Sequence, residues 1–141
     1  HHGWQTMLGM TAIAAAFDRQ AVRGGLLSGI ATALWLAVSL EALPMAGLLG
    51  LLLALRWTAG DRGGRFPAFA FALGGGTLAL FAATHDLAAW SRPWCDAVSP
   101  AWLGPLAATP LLAGMGGWWA DNKGPRAKLL FPPPRHWAAP C

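Results

Sequence analysis

The chain has 141 residues, of which 55% are apolar and 11% charged, against about 25% charged in an ordinary soluble domain. That leaves too little charge to cover a soluble surface, whereas a surface facing lipid needs none, so the composition points to a bilayer. The net charge of +4 does not indicate a nucleic-acid binder, because the basic residues are spread over successive loops between apolar segments rather than clustered on one surface.

The first apolar segment covers about residues 4–17, and a polar loop, 18–23, follows it. A long apolar stretch, 24–55, contains one charge, Glu41, and one proline, Pro44. As one helix it would be about 48 Å long, far more than the ~30 Å of a hydrocarbon core. Split in two near Ser39–Pro44 it gives legs of about 24 Å, and proline both lacks an N–H and disfavours helix in the residue before it. The expected legs are 24–40 and 42–56. A basic loop with Arg56, Asp61, Arg62 and Arg65 comes next, then a span over 67–83. Pro67 is no obstacle there, since the first helical turn has no intrahelical partner for that N–H. A Trp-rich loop, 84–100, leads to a last span, 101–119, and a basic tail, 120–141, with prolines at 132–134. The fold expected is all-α: a polytopic transmembrane helix bundle of about five short spans.

The positive-inside rule supports the split. With five crossings, nine of the ten Arg and Lys residues fall on one side, and only Arg92 on the other; with four crossings the division is seven against three. Both arginine loops and the tail are therefore expected in the cytoplasm, with His1, His2, Glu41 and the 84–100 loop outside. Trp57, Trp118 and Trp119 sit near inner ends and Trp4, Trp90, Trp94 and Trp102 near outer ends, the aromatic-belt pattern. Trp35 is expected to pack within the protein, and Trp137 lies in the tail.

Gly25, Gly29 and Ala33 share one helix face at a spacing that lets membrane helices approach closely. The Gly74-Gly75-Gly76 run has no Lys-Ser/Thr after it and lies in an apolar span, so it reads as helix packing and not a phosphate loop. Glu41 is a candidate functional acid, since a carboxylate at membrane depth is costly; against this stands a solvated position at a helix end. His1 and His2 are candidate ligands for Zn, Mn or Cu, or the remnant of a tag. His85 and Asp86 look like half of a catalytic pair, with no nucleophile in a recognisable motif. Leu87, Ala88, Trp90 and Trp94 would lay their loop on the membrane surface. Cys95 and Cys141 have no metal spacing and fall on opposite sides, so no disulfide is expected between them. No secretory signal pattern is recognisable. Gly117-Trp118-Trp119-Ala120-Asp121 superficially resembles the Trp-Trp-Asp motif of oligosaccharyltransferases, but the intervening alanine makes it an interface anchor.

Three strings carry a family resemblance. His1-His2-Gly3-Trp4-Gln5 resembles the end of an Asp-His-His-x-x-Gln motif that opens an outer-side transmembrane helix. Trp35-Leu36-Ala37-Val38-Ser39-Leu40-Glu41-Ala42-Leu43-Pro44 resembles the break in the next hairpin. Cys95-Asp96-Ala97-Val98-Ser99-Pro100 resembles a Cys-Asp-x-x-Ser-Pro string after a later span. In this order, over about residues 1–105, they are similar to GT-C-type membrane glycosyltransferases, the bacterial relatives of the oligosaccharyltransferase catalytic subunit. The resemblance implies a polyprenyl-linked sugar donor, a divalent metal (Mg or Mn) to neutralise charge on the leaving phosphate, and a bacterial inner membrane. It leaves His1 and His2 as contacts for the metal or the lipid pyrophosphate and assigns no catalytic residue. It also implies a longer chain with Asp before His1, of which this stretch is an inactive fragment. Two alternatives stand beside it. One is a small non-catalytic membrane subunit that scaffolds helices in a larger complex. The other is a metal-handling membrane protein using His1, His2 and His85.

Overall fold

A computed structural model describes residues 2–61, 63–85 and 100–122. Among the described residues the fold is all-helical: α1 (His2–Ala16), α2 (Ala21–Val38), a single 3₁₀ turn (Leu40–Ala42), α3 (Leu43–Thr58), α4 (Arg65–Thr84) and α5 (Pro100–Asn122). These lie on the five apolar segments expected. His1, Arg62, Asp86, Trp90, Arg92, Trp94, Cys95 and the tail beyond Asn122 lie outside the described residues.

The break in the long apolar stretch is built locally. Ser39 is extended (φ −160°, ψ 132°) and ends α2. Its Oγ accepts the backbone N–H of Glu41 at 3.2 Å, which starts the 3₁₀ turn. Pro44 then stands in the first turn of α3, where a missing N–H costs nothing. At the other end of α3, Gly60 (φ +113°) and Gly64 (φ +79°) take the left-handed backbone that side chains with a Cβ rarely adopt. This turns the chain into α4.

Helix α2 is the centre of the bundle. Helix α1 lies antiparallel against one side of it: Ser28 Oγ donates to the Ala12 carbonyl at 2.8 Å, and the Trp35 ring covers Gly9. Helix α4 lies against the other side and runs parallel to α2. Gly25 meets the backbone of Arg65, Gly29 that of Phe69 and Leu73, and Ala33 lies beside Gly76. A Cβ on Gly29 would stand 2.6 Å from the Phe69 carbonyl oxygen, so the expected small-residue face is where two backbones touch. Helix α5 packs on α4 through Gly74, which faces Leu106 O and the Pro110 ring. Gly74 and Gly76 therefore serve helix packing, while Gly75 faces open space. Helix α3 packs more lightly, with Phe66 against Trp57 (centroids 5.5 Å apart) and Phe69 beside Gly50.

Pro110 lies inside α5 and cannot donate to the Leu106 carbonyl one turn earlier. Thr109 Oγ1 donates to that carbonyl instead, at 2.6 Å. Lipid offers no water to satisfy a freed carbonyl, so such a substitute is needed. Thr32 and Thr77 likewise bond back to Ser28 O and Leu73 O, which leaves neither buried hydroxyl without a partner.

Many of the buried residues are small, packed beside the larger Leu36, Leu53, Phe69, Leu73, Phe81 and Leu103, while many large apolar residues face outward. Ala12, Ala16, Ala31, Ala33, Ala42, Ala46, Ala70, Ala72, Ser28 and Thr32 are buried, while Ile30, Leu48, Leu51, Leu55, Phe71, Leu111 and Met115 face outward. Water drives large apolar residues inside. Lipid supplies no such drive between helices, and small residues go inside because they let backbones close. Three stretches, Ala21–Val38, Leu40–Thr58 and Arg65–Thr84, are long and apolar enough to cross a bilayer. At 27–30 Å each by a rise of about 1.5 Å per residue, they match a core about 30 Å thick. The chain is a helical membrane protein by these measures.

Candidate functional site

Of the sequence-derived candidates, His2, Glu41 and His85 are described, and their helix ends come to one end of the bundle. The antiparallel α1–α2 pair and the parallel α2–α4 pair bring the start of α1, the α2–α3 join and the end of α4 to the same level. His2 opens α1. Glu41 is the middle residue of the 3₁₀ turn and is exposed. His85 ends α4: its N–H donates to Phe81 O at 3.0 Å, its ring stacks on Phe81 at 4.3 Å, and its Nδ1 lies 2.8 Å from Thr84 Oγ1. Among the described residues no three His, Cys, Asp or Glu side chains gather into a metal-binding group. His1 and Asp86 lie outside the described residues.

At the opposite end, Arg65 is not the loop charge that its place in the sequence suggests. It is the first residue of α4 and is 8% exposed. Its Nη1 donates to Ala16 O at 2.5 Å and its Nη2 to Asp18 O at 2.6 Å. The Ala16 carbonyl ends α1, where the last turn has no intrahelical donors, and the Asp18 carbonyl lies in the link just after it. The guanidinium is thus a cap reaching in from another helix, and Gly24 leaves room for it, since a Cβ there would stand 3.0 Å from Nη1. Among the described residues its Nε has no partner.

A further feature, which the sequence does not reveal, surrounds helix α3. Helix α3 is flanked by apolar space on both sides. Between α1, α2 and α3 lies a cleft of about 210 Å³, lined by Ala12, Ala16, Trp35, Leu49 and Leu53 among others. Among the described residues its polar lining groups are Thr32, whose hydroxyl is committed to Ser28 O at 2.7 Å, the Trp35 indole N–H and Arg56. Between α3, α4 and α5 lies a second cleft of about 360 Å³, walled by Gly47, Gly50, Phe69, Leu73 and Leu106. Small residues on α3 (Ala46, Gly47, Gly50, Ala54) are the signal that was available, but their faces are assigned only once neighbours are in place. Arg56, in the last turn of α3, is 48% exposed and pairs with Asp61 at 3.6 Å.

No protein-family profile matches the sequence, and no curated protein and no solved structure is detectably similar to it.

Proposed function

We propose that this chain is a membrane-embedded helical module that supplies lipid-facing and helix-packing surface to a larger membrane assembly. The observation that carries this is the outer surface: Ile30, Leu48, Leu51, Leu55, Phe71, Leu111 and Met115 face outward, while glycine, alanine and serine line the helix contacts alongside a few large core residues such as Leu36 and Phe69. Helix α3 adds to it, since apolar space on both its sides suits further helices or lipid chains. The finer topology proposed is five crossings of a bacterial inner membrane, with the 18–23 and 57–66 loops and the tail cytoplasmic and the 84–100 loop outside, as the distribution of Arg and Lys favours.

The assembly proposed is a GT-C-type glycosyltransferase acting on a polyprenyl-linked sugar. The three motif strings support it, as does the presence of clefts apolar enough for an isoprenoid chain. In that setting His1 and His2 would contact a Mg or Mn ion or the lipid pyrophosphate, while Glu41, His85 and Asp86 would lie on the same outer side. The scaffolding-subunit reading shares the packing observation and differs only in needing no donor.

Single cysteines in the three loops, in a background lacking Cys95 and Cys141, test the topology in intact cells with an impermeant thiol reagent. Labelling confined to the 84–100 loop is expected; labelling of the 57–66 loop refutes five crossings. A photoactivatable polyprenyl-pyrophosphate sugar tests the enzyme reading. Capture that depends on Mg or Mn and falls on replacing His1 and His2 supports it. Co-purification with another membrane protein, without donor capture, supports the scaffold.

A further inference from the structure

We propose that the cleft between α1, α2 and α3 holds one acyl chain of an anionic phospholipid, with the headgroup phosphate on Arg56. The proposal rests on the chain lying in a bilayer. Length is the first argument. Along α3 the lining runs from Met45 to Arg56, about 16 Å of helix. One leaflet of a hydrocarbon core is about 15 Å thick. The cleft therefore spans the depth of a single leaflet, and Arg56 stands at the level of its headgroups.

The walls are the second argument. Thr32, Arg56 and the Trp35 indole N–H apart, the lining among the described residues is apolar, and the Thr32 hydroxyl is already bonded within its own helix. Nothing in the cleft calls for water, and an apolar space of this kind takes hydrocarbon. The Trp35 ring, packed over Gly9, stands at the end remote from Arg56.

Charge is the third argument. Among the described residues Arg56 is the only charged one on the lining. Its contact with Asp61 is long, at 3.6 Å, with side chains 48% and 31% exposed, and exposed pairs of this kind hold weakly. A guanidinium has five N–H donors and matches a phosphate in bidentate geometry. Arg19, on the α1–α2 link at the same end, adds positive potential where the headgroup would sit. Arg23 lines a separate shallow surface with Leu26 and Ile30, outside the cleft, and so serves as a control.

The test uses the full chain in detergent micelles carrying equal amounts of phosphatidylglycerol and phosphatidylcholine, with retained lipid counted by native mass spectrometry. One phosphatidylglycerol retained in preference to phosphatidylcholine is expected. Arg56→Gln should lower that retention about fivefold, the contribution of one basic side chain at an anionic membrane surface, while Arg23→Gln leaves it unchanged. Ile13→Trp, at an exposed position on the cleft mouth, should block the chain and lower retention of both lipids. Equal retention of the two lipids by the wild type, or equal losses in the two arginine variants, would overturn the proposal. So would replacement of the phosphatidylglycerol by added polyprenyl phosphate at equal concentration, which assigns the cleft to an isoprenoid. Alkaline carbonate extraction separates the two levels. A chain released from the membrane refutes the bilayer reading itself, whereas a chain that stays while showing no lipid preference refutes the site alone.

Discussion

Replacing Gly29 by alanine is the smallest change that tests the central seam. The new methyl would stand 2.6 Å from Phe69 O, 2.7 Å from Ala72 Cβ and 3.0 Å from Leu73 N, where ordinary contacts begin at 3.4 Å. Two of these three atoms are backbone, so no rotamer change relieves the clash. Helices α2 and α4 must part by about 0.8 Å, and a gap of that size forfeits roughly a quarter to a half of each dispersion contact it opens. Overpacking of this kind costs about 1–3 kcal/mol, and the rigid neighbours place Gly29→Ala near the upper end. Gly75, with nothing within 4 Å, is the control. Gly75→Ala should shift stability by less than about 0.5 kcal/mol, or raise it slightly because alanine is the better helix former. The assay is reversible SDS unfolding in mixed micelles, followed by far-ultraviolet circular dichroism. Equal midpoints for the two variants would refute the backbone-contact account of the seam.

The same assay checks the remaining predictions. Thr109→Val leaves the Leu106 carbonyl that Pro110 frees without a donor and should cost about 1–3 kcal/mol. Thr77→Val should cost less, because Leu73 O keeps its helical N–H, and adding Pro110→Ala should rescue Thr109→Val; no rescue would show that the hydroxyl is not the substitute donor. Arg65→Gln removes two charge-assisted hydrogen bonds from the end of α1 and should cost about 3 kcal/mol, with Arg65→Lys intermediate because a single ammonium does not reproduce the planar fork. Glu41→Gln, at an exposed turn position, should change stability by less than about 0.5 kcal/mol; a larger loss would point to a buried partner for the carboxylate.

Much of the architecture was legible before any coordinates, because lipid imposes simple rules on sequence. Apolar runs of bounded length, a proline after Ser39 and arginines in alternate loops locate five helices and the break between α2 and α3. The face formed by Gly25, Gly29 and Ala33 was readable as a contact face, since only small residues at that spacing let backbones meet. Its partner was not readable. That α4 fills this face and runs parallel to α2, rather than α1 or α3 doing so, depends on contacts between segments some 40 residues apart in sequence. The candidate site was less legible still. The directions of α1, α2 and α4 put His2, Glu41 and His85 at one end, but alternation of direction carries no information on lateral distance.

What the sequence determined by itself was therefore the environment, the helices and their order, since hydropathy and backbone hydrogen bonding are local properties of the chain. Tertiary structure alone decided which charges are spent on structure and which are free. Arg65 and Arg56 lie nine positions apart in similar composition. One is buried as a cap on the end of α1, while the other stands half-exposed at the mouth of an apolar cleft. The difference arises from which carbonyls and which empty space the neighbouring helices bring within reach of each guanidinium.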